Sequence, residues 1–350
     1  MSRLLKTTIA AVSLACAGCA AAINYDNPTG PVLVVQQPSS RVATGEIRLV
    51  TFNLKFGEHV DRAADLLTRP GPLRDADVLF LQEMDGPGTE KLARALGMNS
   101  IYVPSAKHPS SSHRDFGVAV LSPWPLDDGR KVPLPHQHRF RKLRRAAVAA
   151  TVRTPAGNVR AYSVHFETVY GLWSEGHRRD QARAVLTDAA AWPGPIVIAG
   201  DFNGRGPADE VAKAGFSWLT RALDDRGMFL DLDHVLVRGL CATGDPAAAY
   251  ASDVTDASDH RPVWAVVRPC ALTAAHSWRR SGGRTADFTS SALGGVFPCL
   301  RRSFTQRRIV CPGIRRFCPT TFSPRSLPLG DACSISAFIS APSRIARPDM

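Results

Sequence analysis

The sequence predicts an α/β fold on three observations. Short aliphatic and β-branched runs bounded by turn formers recur through the middle of the chain, amphipathic stretches at helical spacing separate several of them, and the apolar runs end abruptly in polar residues. Ile196-Val197-Ile198-Ala199-Gly200-Asp201-Phe202-Asn203-Gly204 is the clearest case: preceded by Pro193-Gly194-Pro195, it reads as a buried strand delivering a carboxylate and an amide to a rim. If the strand geometry continues, Asp201 and Asn203, two residues apart, share one side of the sheet. An Asx turn capping the strand is the alternative.

The chain opens with a basic start (Arg3, Lys6), an apolar run and a small-residue end, Ala17-Gly18-Cys19-Ala20, so residues 1–22 read as a signal for export, too short for a membrane span. Ala-Gly-Cys resembles a bacterial lipoprotein processing site with Cys19 as the lipidated residue, although Cys16 stands where Leu is usual; the expected location is periplasmic or membrane-anchored. Residues 23–44, with Pro28, Gly30, Pro38 and paired serines, read as a flexible tether. A domain follows over residues 45–268.

Ile47 to Leu54 alternates and should be its first strand, ending at Asn53. Val60, Ala63, Ala64, Leu66 and Leu67 lie at helical spacing before Pro70. Asp77 to Glu83 is a second buried strand, Gly88 to Leu96 a second helix, and Phe116 to Ser122, Arg145 to Val152 and Arg160 to Phe166 are further strands, the last carrying His165. A helix from His177 to Trp192 leads to the Ile196 strand, and segments beginning at Leu232 and Asp259 close the domain.

Charge is uneven. From Pro269 onward there are twelve Arg, no Lys and three acidic residues, so this tail carries +9 of the net +12 and the body is close to neutral. The high pI therefore says little about what the body binds. No Cys or His spacing suits a zinc finger, and with Cys241 alone in residues 45–268 no disulfide is expected inside the domain. The segment 136–145 is the most basic patch of the body, and no apolar hairpin suggests membrane insertion.

Polar residues thus stand at the ends of five strands, Asn53, Glu83, His165, Asp201 with Asn203, and Asp259 with His260, while Asp233 opens a sixth. In open α/β sheets such residues collect at one edge, where the loops converge. Their order, in Thr51-Phe52-Asn53, Leu81-Gln82-Glu83, Gly200-Asp201-Phe202-Asn203, Leu232-Asp233-His234-Val235 and Ser258-Asp259-His260-Arg261-Pro262-Val263, resembles the endonuclease/exonuclease/phosphatase superfamily, whose members include DNase I-like nucleases, inositol polyphosphate phosphatases and bacterial sphingomyelinases. That resemblance implies a four-layer α/β sandwich, two mixed sheets face to face with helices outside. It also implies hydrolysis of a phosphoester, in nucleic acid, a phospholipid or a small metabolite.

Carried over residue by residue, the resemblance makes Glu83 the principal metal ligand, with Asn53 and Asp259 beside it. Oxygen donors suit Mg²⁺ or Mn²⁺. Asp201 would position or deprotonate the attacking water, Asn203 hold a phosphate oxygen, and His260, oriented by Asp233, contact the phosphate. His165 is a candidate general acid, and Arg145 is expected near substrate or as a plain surface arginine. The tail, 269–350, with arginine pairs and no sustained periodicity, reads as disordered or as a frame-shifted extension. The rival reading is a nucleic-acid-tethering lipoprotein that uses this basic arm.

Overall fold

In the computed structural model the described residues are 22–38, 41–42, 44–108, 111–168, 173–223, 232–251 and 256–270. The expected signal with Cys19, and the tail beyond Cys270, lie outside them. The first half contains β1 (Leu33–Val35), β2 (Ile47–Asn53), a 3-10 turn (Lys55–Gly57), α1 (Val60–Thr68), β3 (Val78–Met84), α2 (Gly86–Leu96), β4 (Asn99–His108), β5 (Ser111–Ser122), β6 (Leu126–Pro133) and β7 (Ala146–Thr154). It continues through β8 (Gly157–His165), α3 (Trp173–Ala189), β9 (Ile196–Asp201), α4 (Arg205–Lys213), β10 (Ser217–Trp218), β11 (Asp233–Arg238), β12 (Leu240–Ala242), β13 (Ala248–Tyr250) and β14 (Val263–Pro269).

One sheet has the order β1-β4-β5-β3-β2-β14-β12, with β13 also on β14; the other runs β10-β11-β9-β8-β7-β6. Both are mixed, because β2 is parallel to β3 and β8 to β9 while β14 and β11 run against them. Strand alternation divides the side chains into layers. Leu49, Phe80, Val118 and Val120 of the first sheet meet Val148, Ala161, Val197, Ala199 and Val235 of the second in a shared core. On the outer faces, Val50, Phe52, Leu79 and Leu81 pack against Leu66 and Leu67 of α1 and Leu92 of α2. Val164, Ile196, Ile198 and Leu236 do the same against Ala182 and Val185 of α3 and Val211 of α4. The result is helix, sheet, sheet, helix, the four-layer sandwich that the motifs implied.

Two boundaries differ from the sequence reading. The segment read as a tether packs on the domain instead. Leu33 pairs with Tyr102 in an antiparallel ladder, Ile23 O accepts from Lys107 N at 2.8 Å, and the Tyr25 hydroxyl donates to Asp115 at 2.5 Å. An edge strand offers a row of unpaired backbone groups, so even a segment without apolar periodicity can add to it. The domain also ends later than Arg268. Cys241 faces Arg268 in the β12–β14 register, which brings Cys270 alongside, and a Cys241–Cys270 disulfide closes the pair with Cα atoms 5.0 Å apart. The expectation of no disulfide failed because it placed Cys270 in the tail.

Candidate active site

The parallel pairs β2–β3 and β8–β9 end on the same edge of the sandwich, so their C-terminal residues converge. Asn53 pairs with Gln82, just before Glu83, and His165 pairs with Asp201. The antiparallel partners bring the rest: Asp233 is the register partner of Asp201, and His260 precedes β14, whose Val263 faces Thr51. Local backbone chemistry aims these side chains. Gly200, at φ +148°, lets β9 approach β8 so closely that a Cβ would lie 2.0 Å from the Val164 carbonyl oxygen. Glu83 has φ +56° at a register shift between Gln82 and Met84, a bulge that turns its carboxylate out of the strand alternation. The Glu83 Oε2 then accepts from Phe56 N at 3.2 Å.

Asp201 Oδ2 is the meeting point of the two sheets. Asn53 Nδ2 donates to it at 3.1 Å, His165 Nε2 lies 3.4 Å away and His260 Nε2 3.9 Å away. Glu83 Oε1 is 3.9 Å from the same His165 nitrogen. Asp233 Oδ2 holds His260 Nδ1 at 2.8 Å. Ser258 fixes the His260 turn, donating to the Asn53 carbonyl at 2.6 Å and accepting from His260 N at 3.2 Å. Asp259 is exposed beside it.

Two sequence expectations change. Asn203 does not continue the strand: it has φ +52°, its N–H donates to Asp201 Oδ1 at 2.8 Å, and its Nδ2 donates to the Phe166 carbonyl at 3.0 Å. The Asx turn and the site carboxylate are therefore the same residue, Asp201, and Asn203 is buried in the rim. Arg145 is no surface arginine. It is 8% exposed, its Nη1 lies 3.1 Å from His165 Nδ1, its Nη2 donates to Thr168 Oγ1 at 3.0 Å, and it sits 4.9 Å over the Phe116 ring. Its hydrogen bonds go to His165 and Thr168, so it bears on the site through the imidazole.

Charge states follow from these contacts. Guanidinium nitrogens only donate, so Nδ1 of His165 is the acceptor and its proton is on Nε2, facing Asp201. Burial, Arg145 and His260 hold His165 well below the usual histidine range, keeping it neutral. A neutral imidazole donates a hydrogen bond but is a poor proton source, which weakens the general-acid expectation. Burial opposes charge on His260, but Asp233, through charge and hydrogen bond, with Asp201 and Asp259, raises it to about 10. Burial, then Asp233, pushes the Asp201 carboxyl up, and burial does the same to Glu83 against the pull of Arg145 and His260.

The residues fit a hard divalent cation. Glu83, Asp201, Asp233 and Asp259 face Arg145 and a protonated His260, leaving negative charge uncompensated around oxygen donors. Among the described residues no three His, Cys, Asp or Glu side chains form a ready metal cluster; the expected set is instead an amide, Asn53, with the carboxylates of Glu83 and Asp259.

Sequence reasoning passed over the floor of the site. Gln82 Nε2 donates to Ser163 Oγ at 3.0 Å, Ser163 Oγ to the Leu81 carbonyl at 3.1 Å, and Thr51 Oγ1 to Gln82 Oε1 at 3.3 Å, all buried. These polar links join the two sheets beneath Asp201. Thr51 and Gln82 stand inside the motifs that carry the resemblance, whereas Ser163 is marked only as a polar residue placed where an apolar one would suit the core.

A family model described as the endonuclease/exonuclease/phosphatase family matches residues 50–260. The chain belongs to that family. Two curated Vibrio cholerae relatives, each called a UPF0294 protein, are 24% identical over 245 residues, covering 67% of this chain and 82% of theirs. Among solved structures, an endonuclease/exonuclease/phosphatase from Beutenbergia cavernae is 20% identical with a TM-score of 0.52, over 64% of this chain and 72% of that one. One from Bacteroides vulgatus is 17% identical with a TM-score of 0.51, over 64% and 99%. Humanized D. rerio TDP2 is also 17% identical with a TM-score of 0.51, over 64% and 100%. At these identities the structural likeness is one of fold.

Proposed function

We propose that this family member is an exported, divalent-metal-dependent phosphoesterase that hydrolyses a phosphodiester or phosphomonoester by attack of water. The observation that carries the reading is the convergence on Asp201 Oδ2 of Asn53 and His165, from strands of the two sheets, and of His260, from the turn before β14, with Glu83 alongside. Mg²⁺ or Mn²⁺ held by Glu83, Asn53 and Asp259 would neutralise phosphate oxygens and the charge that develops as the ester bond breaks.

The chain's own groups do the rest. Asp201, with its raised pKa, orients the attacking water and takes its proton as the new P–O bond forms. His260, cationic at neutral pH, binds a phosphate oxygen and cannot be the base. His165 donates from Nε2 to a second phosphate oxygen, held in that tautomer by Arg145. Asp233 orients His260, and Asn203 fixes the turn that presents Asp201. Export draws support from two independent features, the basic-apolar-small start of the chain ending at Cys19, and a disulfide of the kind that persists in oxidising compartments.

The test is release of nitrophenol from bis-p-nitrophenyl phosphate by the whole chain in Mg²⁺, Mn²⁺ or EDTA. Release should require metal and fall to background in Glu83→Ala with an unchanged circular dichroism spectrum. Full activity in that variant, or in EDTA, would refute the assignment. His260→Ala should lower kcat by about 10²–10³-fold, and a change confined to KM would make His260 a binding residue only.

A further inference from the structure

The hairpin tip between β6 and β7 lies at the site edge, since Arg145 at its end enters the site and β7 follows directly, and its first residues are held to α3 by Gln181 Nε2 donating to the Pro135 carbonyl at 3.0 Å. The tip is closed on itself by His138 N to the Leu143 carbonyl and Lys142 N to the His138 carbonyl, both 2.8 Å. Arg139, Arg141, Lys142 and Arg144 are exposed on it, and between them stands Phe140, 62% exposed. The start of the described chain is bound to the same tip. Ala22 N donates to the Arg141 carbonyl at 2.6 Å, Asn24 Nδ2 to the Lys142 carbonyl at 2.9 Å, and Arg144 N to Asn24 Oδ1 at 2.8 Å. Ile23, 67% exposed, is thereby set beside it.

We propose that this tip docks on an anionic lipid surface; the sequence shows no apolar hairpin there because Phe140 is the tip's one exposed large apolar side chain and Ile23 comes from a distant segment. Phe140 and Ile23 enter the headgroup boundary, and Arg139, Arg141 and Lys142 hold lipid phosphates, Arg144 being paired with Asp26 at 3.4 Å. Three observations select lipid over a polynucleotide. Both large apolar side chains are stabilised at a headgroup boundary, whereas a polynucleotide offers base stacking to Phe140 but nothing to the aliphatic Ile23. Outside the tail the chain carries only +3 of the net +12, little for a grip that depends on many phosphate contacts. The chain also enters the domain at this point, Cys19 lying three residues before Ala22, so a lipid on Cys19 would bring the tip to the bilayer. Docked in this way, the edge carrying Asp201 and Glu83 faces the membrane, where a phosphoester in a lipid headgroup is the nearest substrate; this last step rests on the proposed phosphoesterase reading, the docking does not.

The test uses the full chain carrying Cys19→Ala, so that no acyl chain binds for it, and Phe140→Trp, whose emission is read as the difference from the same chain with Phe140 because six native tryptophans are present. Vesicles of phosphatidylglycerol should shift the fluorescence of the introduced indole to the blue and allow brominated lipids to quench it; phosphatidylcholine vesicles should do neither. Adding Arg139→Gln, Arg141→Gln and Lys142→Gln should raise the lipid needed for the shift by roughly a hundredfold, at about a fivefold loss per cation. Binding without any shift would mean that residues other than the tip hold the chain, and would overturn the proposal. So would no binding, or a shift produced by a DNA duplex but not by vesicles. Hydrolysis of a small soluble phosphoester should be unchanged by these substitutions, so a failure of docking and a failure of the enzyme reading are told apart.

Discussion

Asp233 turns His260 into a lasting cation, and the consequence can be read one residue at a time. Folding raises the His260 pKa to about 10 from an ordinary value of about 6.5, so the pairing stabilises the fold fully below about 6.5 and is lost as pH rises through about 10. In the metal-free protein, the His260 ring resonances should not titrate between pH 6 and 8, and in Asp233→Asn they should titrate at distinctly lower pH. Near-neutral titration in the unsubstituted chain would contradict the assignment. The stability difference between the two proteins should shrink above pH 10. At this scale much was legible: Asn53, Glu83, Asp201 and His260 each stand at the end of an apolar run, and their order carries the resemblance. The state of His165 was not legible, because it depends on Arg145, twenty residues earlier and just before a neighbouring strand. The contact of Gln82 with Ser163, from opposite sheets, was hidden for the same reason.

At the scale of elements, the approach of β8 to β9 sets the site. A methyl group on Gly200 would meet the Val164 carbonyl in a backbone conformation that disfavours side chains, so Gly200→Ala should cost more than about 2 kcal/mol in urea unfolding. It should also lower kcat by displacing Asp201; an unaltered denaturation midpoint would show that the strands can separate without cost. The strands and helices with strong periodicity were readable to within a few residues, such as Ile196–Asp201 and Val60–Thr68. β4, Asn99–His108, was missed because Pro104 and Ser105 interrupt its apolar pattern, and α4, Arg205–Lys213, because Gly206 and Pro207 open it. β1 carries too little apolar periodicity to stand out; only the open edge of β4 gives it a partner. Asp259 and His260 were read into the last strand, but Pro262 delays β14 to Val263 and leaves them in a turn.

For the whole molecule, the end of the domain is decided by Cys270, which the sequence reading placed in the tail. A chain ending at Arg268 loses Cys270, whereas one ending at Ala271 keeps it. The shorter chain, like Cys241→Ser, should lose about 3–4 kcal/mol relative to the longer one by the loop-entropy argument, measured by urea unfolding with and without reductant. Equal stability of the two truncations would show that the disulfide contributes nothing. The layered architecture itself was accessible from motif order, since a family pattern spanning residues 50–260 fixes more than any single periodicity can.

The position of that disulfide matters for events outside the domain. β14 begins just after His260 and ends at the cysteine bonded to β12. Tension applied through the C-terminal extension, or a peptidase chewing inward from it, meets a covalent stop before reaching the ladder between β14 and β2. The strand that seats His260 therefore cannot be peeled away from its free end, and the extension can be pulled on or trimmed while the histidine keeps its place.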